Sequence, residues 1–414
     1  MKATTFPAVL QIVRHLRLSW LGGLHWLLFG KSARPATAKP ERIVIVRFSA
    51  LGDFILAIPS IWKLRLSFPH AKILLLTAVS RQRAVQELTL RYTSTSHHHP
   101  WVDFVHPSLV DQVVSIGSLS LRSLYVHIAP HIVAFKPDLT LLLPQQNGGT
   151  VQSVTLKFLF LKLLGVRCPV LGWRSGNGPL FRKWLYRQDQ VEHGVMAPLK
   201  AVNEANPVGT IDEADITFPL DIPRDDARWS SDVLSRAGCE GKDIVAIAPG
   251  SIQPHKQWPL RNFVALCQHL QRCHNVYLVI VGTGDTRESG NIITGALGGN
   301  ALNLCGETSI SKLAALLQRC TLMVGNDGGS MHLAAAVGCR CVSIMSGIEY
   351  PGSVEPWGNK AWSVRAQVDC APCYSFTCCP KGHNKCLTSI GVNEVLRKCI
   401  LALESIRHAA HGGQ

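Results

Sequence analysis

Several glycine-bearing segments place charged or hydroxyl side chains directly after apolar runs, which is where strands of ligand-binding α/β folds end. The first is Ser49-Ala-Leu-Gly52-Asp53, which follows the apolar run "RIVIVRF". Gly52 allows a sharp turn or a close approach to a ligand. Asp53 would then either cap the next helix or act as a general base held near a hydroxyl group. On this segment alone, the helix-cap interpretation is favoured.

A second segment, "APGSIQPHKQWP", combines small residues with a lysine after another apolar run. Gly250 and Ser251 would form a hydroxyl-bearing turn, and Pro259 suits the first turn of a helix. Backbone N–H groups at a helix start bind anions, and Lys256 adds a positive charge. The Gly-Lys-Ser/Thr ending of a Walker A loop is missing. The pattern somewhat favours phosphate binding over an ordinary loop with an exposed lysine.

A third segment, "GNDGGSMHLAAAVG", joins an apolar run to a short alanine-rich helix. Its glycines would let a phosphate approach the backbone, and the helix dipole favours an anion at the helix start. His332, in the first helical turn, is in isolation better explained as a core residue, and Gly338 is expected to end the helix. The candidate anion-binding residues are Asn326, Asp327, Gly328, Gly329, Ser330 and His332.

A fourth segment, "VGTGDTRE", contains half of a dinucleotide-binding fingerprint. Arg287 occupies the place of the third glycine, so the pattern argues against an NAD site. Asp285 at a strand end could instead accept a hydrogen bond from a ribose hydroxyl. A turn acid without a ligand is an equally good interpretation.

The elements that must position these segments form two successive series of alternating strands and helices, separated by the charged stretch Asp221–Asp243. This alternation predicts an α/β protein with two doubly wound, Rossmann-like domains facing across a cleft, with ligands at the carboxyl ends of the strands. The predicted parts are a basic amphipathic segment and linker at 1–40, a first domain at 41–222, a second at 223–390, and a helix and tail at 391–414.

Composition narrows the class of protein. The 414 residues are 47% hydrophobic and 17% charged, which excludes a disordered chain, and the net charge of +15 favours an anionic partner. Repeats of a nucleic-acid-binding module are absent from the sequence. Residues 1–40 contain neither a signal peptide pattern nor about 20 consecutive apolar residues. Their basic, aromatic-bearing pattern fits a helix on an anionic membrane, or equally an added helix packed on the protein.

Fourteen cysteines are present, and five of them crowd into "CAPCYSFTCCPKGHNKC". Thiolates from this run could hold a structural zinc ion. A second, well-separated Cys-x-x-Cys pair is missing, so the spacing disfavours the metal relative to free thiols or disulfides. The zinc candidates are Cys370, Cys373, Cys379 and Cys386.

The linked set of motifs resembles the bacterial ADP-heptose:lipopolysaccharide heptosyltransferases, which form glycosyltransferase family nine. The resemblance rests on "IVRFSALGDFILAIPSIWKLRLSFPHAKI", "IAPGSIQPHKQWPLRNFVAL", "VGNDGGSMHLAAAVGCRCVSIMSG" and "EPWG". It implies a GT-B architecture and an inverting transfer of heptose from ADP-heptose to a lipopolysaccharide core or related glycolipid. It also implies a cytoplasmic enzyme, which we expect on the inner face of the cytoplasmic membrane.

The resemblance assigns a role to each segment. Asp53 would be the catalytic base, with Ser49 and Gly52 completing an acceptor-side loop. Lys256, Gly250 and Ser251 would contact the donor phosphates, the motif from Asn326 to His332 would line the diphosphate, and Asp285 would bind the ribose. No metal cofactor is expected, since the sequence contains no Asp-x-Asp motif.

Two alternatives stay open on the sequence. One is a non-catalytic nucleotide-binding or membrane-associated scaffold of the same fold. The other is a transferase that uses another nucleotide sugar.

Overall fold

The computed structural model describes residues 39–47, 49–78, 108–116, 126, 128–144, 161, 166, 168–172, 192–205, 213, 216–298 and 300–411. The chain divides into two compact units, Met1–Pro219 and Leu220–Gln414. Residues 1–38, including most of the basic amphipathic segment, lie outside the described residues, as does the histidine run at 97–99.

The first unit is built on a parallel sheet whose strand order is β3-β2-β1-β4-β5. The central strand β1 is almost wholly apolar and buried, as expected for a strand covered on both faces. Its neighbours pair in register, with Ile43 opposite both Ile73 and Leu139. The strands are β1 (Arg42–Arg47), β2 (Lys72–Ala78), β3 (Gln112–Ile116), β4 (Leu139–Leu142) and β5 (Val170–Leu171).

The helices of the first unit confirm the predicted βαβ start. The chain leaves β1 through a short helix, α1 (Leu51–Ile55), and a second helix, α2 (Ile58–Ser67), follows after a two-residue break. Pro59 is the second residue of α2, where proline costs no backbone hydrogen bond. The other described helices of this unit are α3 (Ala129–Phe135) and α4 (Met196–Ala205).

The second unit repeats the pattern with a parallel sheet of order β10-β9-β6-β7-β8. The chain order reverses beside β6, since β7 pairs with one side of this strand and β9 with the other. Ligands in such sheets bind at the carboxyl ends of the strands next to this reversal. The strands are β6 (Asp243–Ala248), β7 (Val276–Ile280), β8 (Ala301–Asn303), β9 (Leu322–Asn326) and β10 (Arg340–Ile344).

Helices cover the sheet of the second unit and supply its core. Phe263 and Leu266 of one helix pack with Val395 and Cys399 of the last helix in one buried cluster, so the C-terminal helix belongs to the core of this unit. No described helix is both long and apolar enough to cross a membrane. The helices are α5 (Arg224–Arg236), α6 (Leu260–Cys273), α7 (Arg287–Gly295), α8 (Ile310–Leu317), α9 (Gly329–Ala336), α10 (Lys385–Thr388) and α11 (Val392–His411).

Candidate functional site

The loops after β6 and β9 start side by side at the carboxyl edge of the second sheet. Ala248, the last residue of β6, pairs with Gly325 of β9. A methyl group on Gly325 would lie 2.7 Å from the Ala248 carbonyl oxygen, so only glycine allows the two strands to approach this closely. The second and third sequence segments are therefore brought together.

A buried ion pair joins these two loops. Lys256 Nζ lies 2.7 Å from Asp327 Oδ2, and the two side chains are only 15% and 11% exposed. Burial favours the protonated acid, yet the positive charge of Lys256 and its hydrogen bond hold the pKa of Asp327 below its usual value. His332 and Arg365 add to the lowering. The pair places an ammonium group at the sheet edge where an anion would bind.

Asn326 braces the loop that carries Lys256. Its Oδ1 accepts a hydrogen bond from the Trp258 backbone N–H at 2.9 Å, and its Nδ2 donates to the Pro249 carbonyl at 2.6 Å. The residue is 1% exposed. The amide thus holds both ends of this loop in place, whereas the sequence predicted that it would line the bound diphosphate.

The helix α9 follows β9 after a short turn. It starts at Gly329, and Gly328 is the N-cap, without a side-chain cap hydrogen bond. A methyl group on Gly328 would find only the Asn326 carbonyl oxygen within 4 Å, at 3.8 Å. There is therefore space beside the backbone N–H groups at the start of α9. Gly338 has a φ of 85° and follows the end of α9 as predicted.

His332 lies in the first turn of α9 and is 8% exposed. Its influence on the pKa of Asp327 places it near the ion pair. The sequence left a core role and a ligand role open for this histidine. The structure shows a buried side chain that is nevertheless next to the candidate anion site.

The loop after β7 packs on the loop after β6 through a residue that the sequence analysis missed. A methyl group on Gly250 would lie 2.3 Å from Thr286 Cγ2, and one on Gly282 would lie 2.2 Å from Thr286 Oγ1. Both glycines are therefore needed for close packing against Thr286. Asp285 is exposed beside it, and its carboxylate accepts a hydrogen bond from Thr283 Oγ1.

In the first unit, Asp53 does not cap its helix. It is the third residue of α1, whose N-cap is Ala50, and no side-chain cap hydrogen bond is made. The helix-cap interpretation favoured by the segment alone is wrong, because the chain enters the helix three residues before the acid. Asp53 is partly exposed and Gly52 is buried.

A buried arginine fixes the position of α1 at the end of β1. The Arg47 guanidinium donates to the carbonyl oxygens of Leu143, Pro144 and Asp53. Burial lowers the pKa of Arg47 to about 10, and the charge of Asp53 partly opposes this. Ser49 is also buried, and its Oγ has no hydrogen-bond partner among the described residues. Arg47 was visible in the sequence as a lone charge in an apolar run, but its backbone partners were not.

Comparison with known proteins identifies the family. Residues 165–383, more than half of the chain, match the family model described as glycosyltransferase family 9 (heptosyltransferase). The chain belongs to this family. The matched range includes the loops after β6, β7 and β9 and does not include Ser49–Asp53.

Individual relatives support the family assignment. Lipooligosaccharide heptosyltransferase 2 of Campylobacter jejuni is 28% identical over 162 residues, which are 38% of this chain and 50% of the relative. The chain thus spans about half the length of this curated relative. Among solved structures, Escherichia coli ADP-heptose lps heptosyltransferase II covers 88% of this chain and 99% of its own, at a TM-score of 0.60 and 18% identity.

A second solved structure agrees. The glycosyl transferase family 9 protein from Veillonella parvula covers 89% of this chain and 99% of its own, with a TM-score of 0.61 and 18% identity. These likenesses show the fold, and the predicted α/β fold class of GT-B type is confirmed.

The cysteine run of this family 9 chain lies against the loop after β10. The Cys373 N–H donates to the Gly347 carbonyl at 3.0 Å, and a methyl group on Gly347 would lie 3.1 Å from Cys386 Cβ. All fourteen cysteines are described, and each is a free thiol. No group of three or more His, Cys, Asp or Glu side chains in the described part of the chain is arranged to hold a metal ion. The zinc candidates Cys370, Cys373, Cys379 and Cys386 are thus not assembled into a site.

Proposed function

We propose that this chain is a glycosyltransferase that moves heptose from ADP-heptose to a hydroxyl group of a lipopolysaccharide core or a related glycolipid. The observation that carries the proposal is the Lys256–Asp327 pair beside the open N-terminus of α9. An ammonium group and free backbone N–H groups at one sheet edge suit a diphosphate. The family match and the names of the relatives support heptose and ADP as the donor's parts.

The proposed donor site belongs to the second unit. Lys256 and the first N–H groups of α9, at Gly329 and Ser330, would bind the diphosphate oxygens, with Gly328 leaving room for them. Gly250 and Ser251 would line the same phosphates from the loop after β6. The positive charges would stabilise the negative charge that grows on the leaving diphosphate. Asp285, exposed after β7, would accept from the ribose.

The proposed base belongs to the first unit. The acceptor hydroxyl oxygen attacks the anomeric carbon, its proton passes to the Asp53 carboxylate, and the bond from the anomeric carbon to the diphosphate breaks to release ADP. A single displacement of this kind inverts the anomeric configuration. The absence of a cap hydrogen bond to Asp53 and its partial exposure support this role.

We further propose that the transfer needs no metal. Lys256 and the helix N-terminus supply the charge that a divalent ion supplies in other transferases, and the sequence contains no Asp-x-Asp motif. A chelator should therefore leave the rate of the proposed transfer unchanged.

A panel of donors tests the proposed function. ADP-heptose, another ADP-sugar and UDP-sugars are each mixed with the protein and a lipid acceptor extract, with and without EDTA, and release of nucleoside diphosphate is measured. We expect release from ADP-heptose that depends on the acceptor and is insensitive to EDTA. Release from a UDP-sugar instead would identify a different transferase. ADP binding without release from any donor would favour the non-catalytic scaffold.

We also propose that the chain works at the inner face of the cytoplasmic membrane. The support is the basic, aromatic-bearing pattern of residues 1–38 and the net charge of +15, since basic segments are attracted to anionic lipids by about 1 kcal/mol per Lys or Arg.

Deleting residues 1–38 should therefore reduce co-sedimentation with anionic vesicles and leave ADP affinity unchanged. Vesicles of neutral lipid are the control, because electrostatic attraction is lost there. Unchanged sedimentation of the truncated chain with anionic vesicles would refute this segment as the anchor.

A further inference from the structure

The Lys256–Asp327 pair creates a charge problem for donor binding. Lys256 Nζ is 2.7 Å from the Asp327 carboxylate in a site where both side chains are largely buried. A diphosphate that draws Lys256 toward itself leaves Asp327 with less compensation, and a buried carboxylate without a partner is costly. Another positive charge beside Asp327 would offset this cost in the loaded site, and His332 and Arg365 are the two groups besides Lys256 that lower its pKa.

Arg365 is a second, largely buried cation at the same sheet edge. Its guanidinium is paired with Glu355, with both Nε and Nη2 2.9 Å from Glu355 Oε1. Arg365 and Glu355 are 16% and 2% exposed. Arg365 Nη1 also donates to the carbonyl oxygens of Ser346 at 2.8 Å and Glu349 at 3.1 Å. One guanidinium thus ties together the whole segment that follows β10.

The backbone places this segment next to Asp327. Ile344, the last residue of β10, pairs with Asn326, and the Asp327 N–H donates to the Ile344 carbonyl at 3.2 Å. Ser346 follows two residues later. Val364 forms a bridge with Ile344, so Arg365 emerges beside the end of β10.

The electrostatic influence agrees with this placement. Burial works against ionisation of Asp327, Lys256 is the largest favourable influence, and Arg365 is among the positive charges that lower its pKa. The guanidinium is held by four protein contacts, which favours its staying in place when a ligand binds.

We propose that Arg365 is a positioning residue for the donor site. It fixes the segment from Ser346 to Glu355 at the sheet edge, and its charge compensates Asp327 when the diphosphate engages Lys256. The proposal rests on the proposed function, because it assumes a diphosphate at Lys256.

A double-mutant cycle on the full chain tests this role, with ADP as the probe and isothermal titration calorimetry as the measurement. Arg365→Gln should weaken ADP binding by about tenfold or more. In an Asp327→Asn background the same change should weaken it by less than about threefold, since the charge that Arg365 compensates is gone. If the arginine had only a structural role, Arg365→Gln would weaken ADP binding equally in both backgrounds.

Two further variants keep the result interpretable. Arg365→Lys keeps the charge without the planar fork, so ADP binding should fall by less than about threefold even if Arg365→Gln does not fold. Arg407→Gln is the matched control, because it removes a guanidinium 3.1 Å from Asp243 at the amino end of β6, and ADP affinity should be unchanged.

The possible outcomes separate the charge role of Arg365 from the proposed function. Equal losses from Arg365→Gln in both backgrounds, or a tenfold loss from Arg365→Lys, would overturn the charge role. Wild-type protein that fails to bind ADP would instead contradict the proposed function itself.

Discussion

Asp53→Asn should lower the rate of heptose transfer by about 10²–10⁴-fold, the range that a positioned general base contributes. The amide has nearly the same shape as the carboxylate but cannot take the proton of an acceptor hydroxyl. ADP affinity should be unchanged, because the proposed donor site belongs to the second unit. Initial rates of ADP release with saturating ADP-heptose and acceptor measure the transfer rate. Calorimetry measures the ADP affinity.

This variant removes a negative charge that favours the protonated, buried Arg47, but it should leave the helix cap intact. Ala50 is the N-cap of α1 and Asp53 makes no cap hydrogen bond, so the substitution should not cost the free energy of a lost cap. Asp138→Asn is a suitable control in the same unit, because Asp138 accepts from the Glu41 N–H at 2.7 Å at the amino end of β1. Its transfer rate should stay close to wild type. Wild-type turnover in Asp53→Asn would eliminate Asp53 as the base.

Lys256→Met should lower the unfolding free energy of the second unit, but by less than the about 3–5 kcal/mol typical of a buried carboxylate left unpaired, because His332 and Arg365 still favour the ionised Asp327. It should also abolish ADP binding, since the ammonium group is lost from the proposed diphosphate site. Adding Asp327→Asn should recover most of the stability but none of the ADP affinity. Urea denaturation and calorimetry on the three variants separate the two effects.

Low pH should remove the stabilisation from the Lys256–Asp327 ion pair. The folded-state pKa of Asp327 lies below its usual value, so the pair's contribution to stability is present above about pH 3.9 and disappears as pH falls through the lowered pKa. Below about pH 4, the stability of wild type should therefore fall more steeply with pH than that of the Lys256→Met/Asp327→Asn variant. A single Lys256→Met change without loss of stability at neutral pH would show that the ion pair is not formed in solution.

The central strands were predictable because each is a continuous apolar run. β1, β6, β7, β9 and β10 all have this pattern and carry the loops of the candidate site. The shorter edge strand β8, with three partly buried residues, and the helix α7 gave no such signal.

Side-chain partners could not be predicted from spacing. The sequence placed Asp53 near a helix start, but only the backbone shows that Ala50 is the cap. Asn326 looked like a ligand-binding amide, and its bonds to Trp258 and Pro249 connect residues far apart in the chain. Arg365 stands in an unremarkable stretch of sequence, and its four contacts depend on how the segment after β10 folds back.

The most direct test of the proposed transfer is product analysis. The full chain is incubated with ADP-heptose and a purified core glycolipid that lacks the terminal heptose, and the lipid is examined by mass spectrometry while ADP is quantified. We expect one added heptose per ADP released, in wild type and not in Asp53→Asn. ADP release with an unchanged lipid mass, or no reaction with a core glycolipid from the same source as the chain, would contradict it.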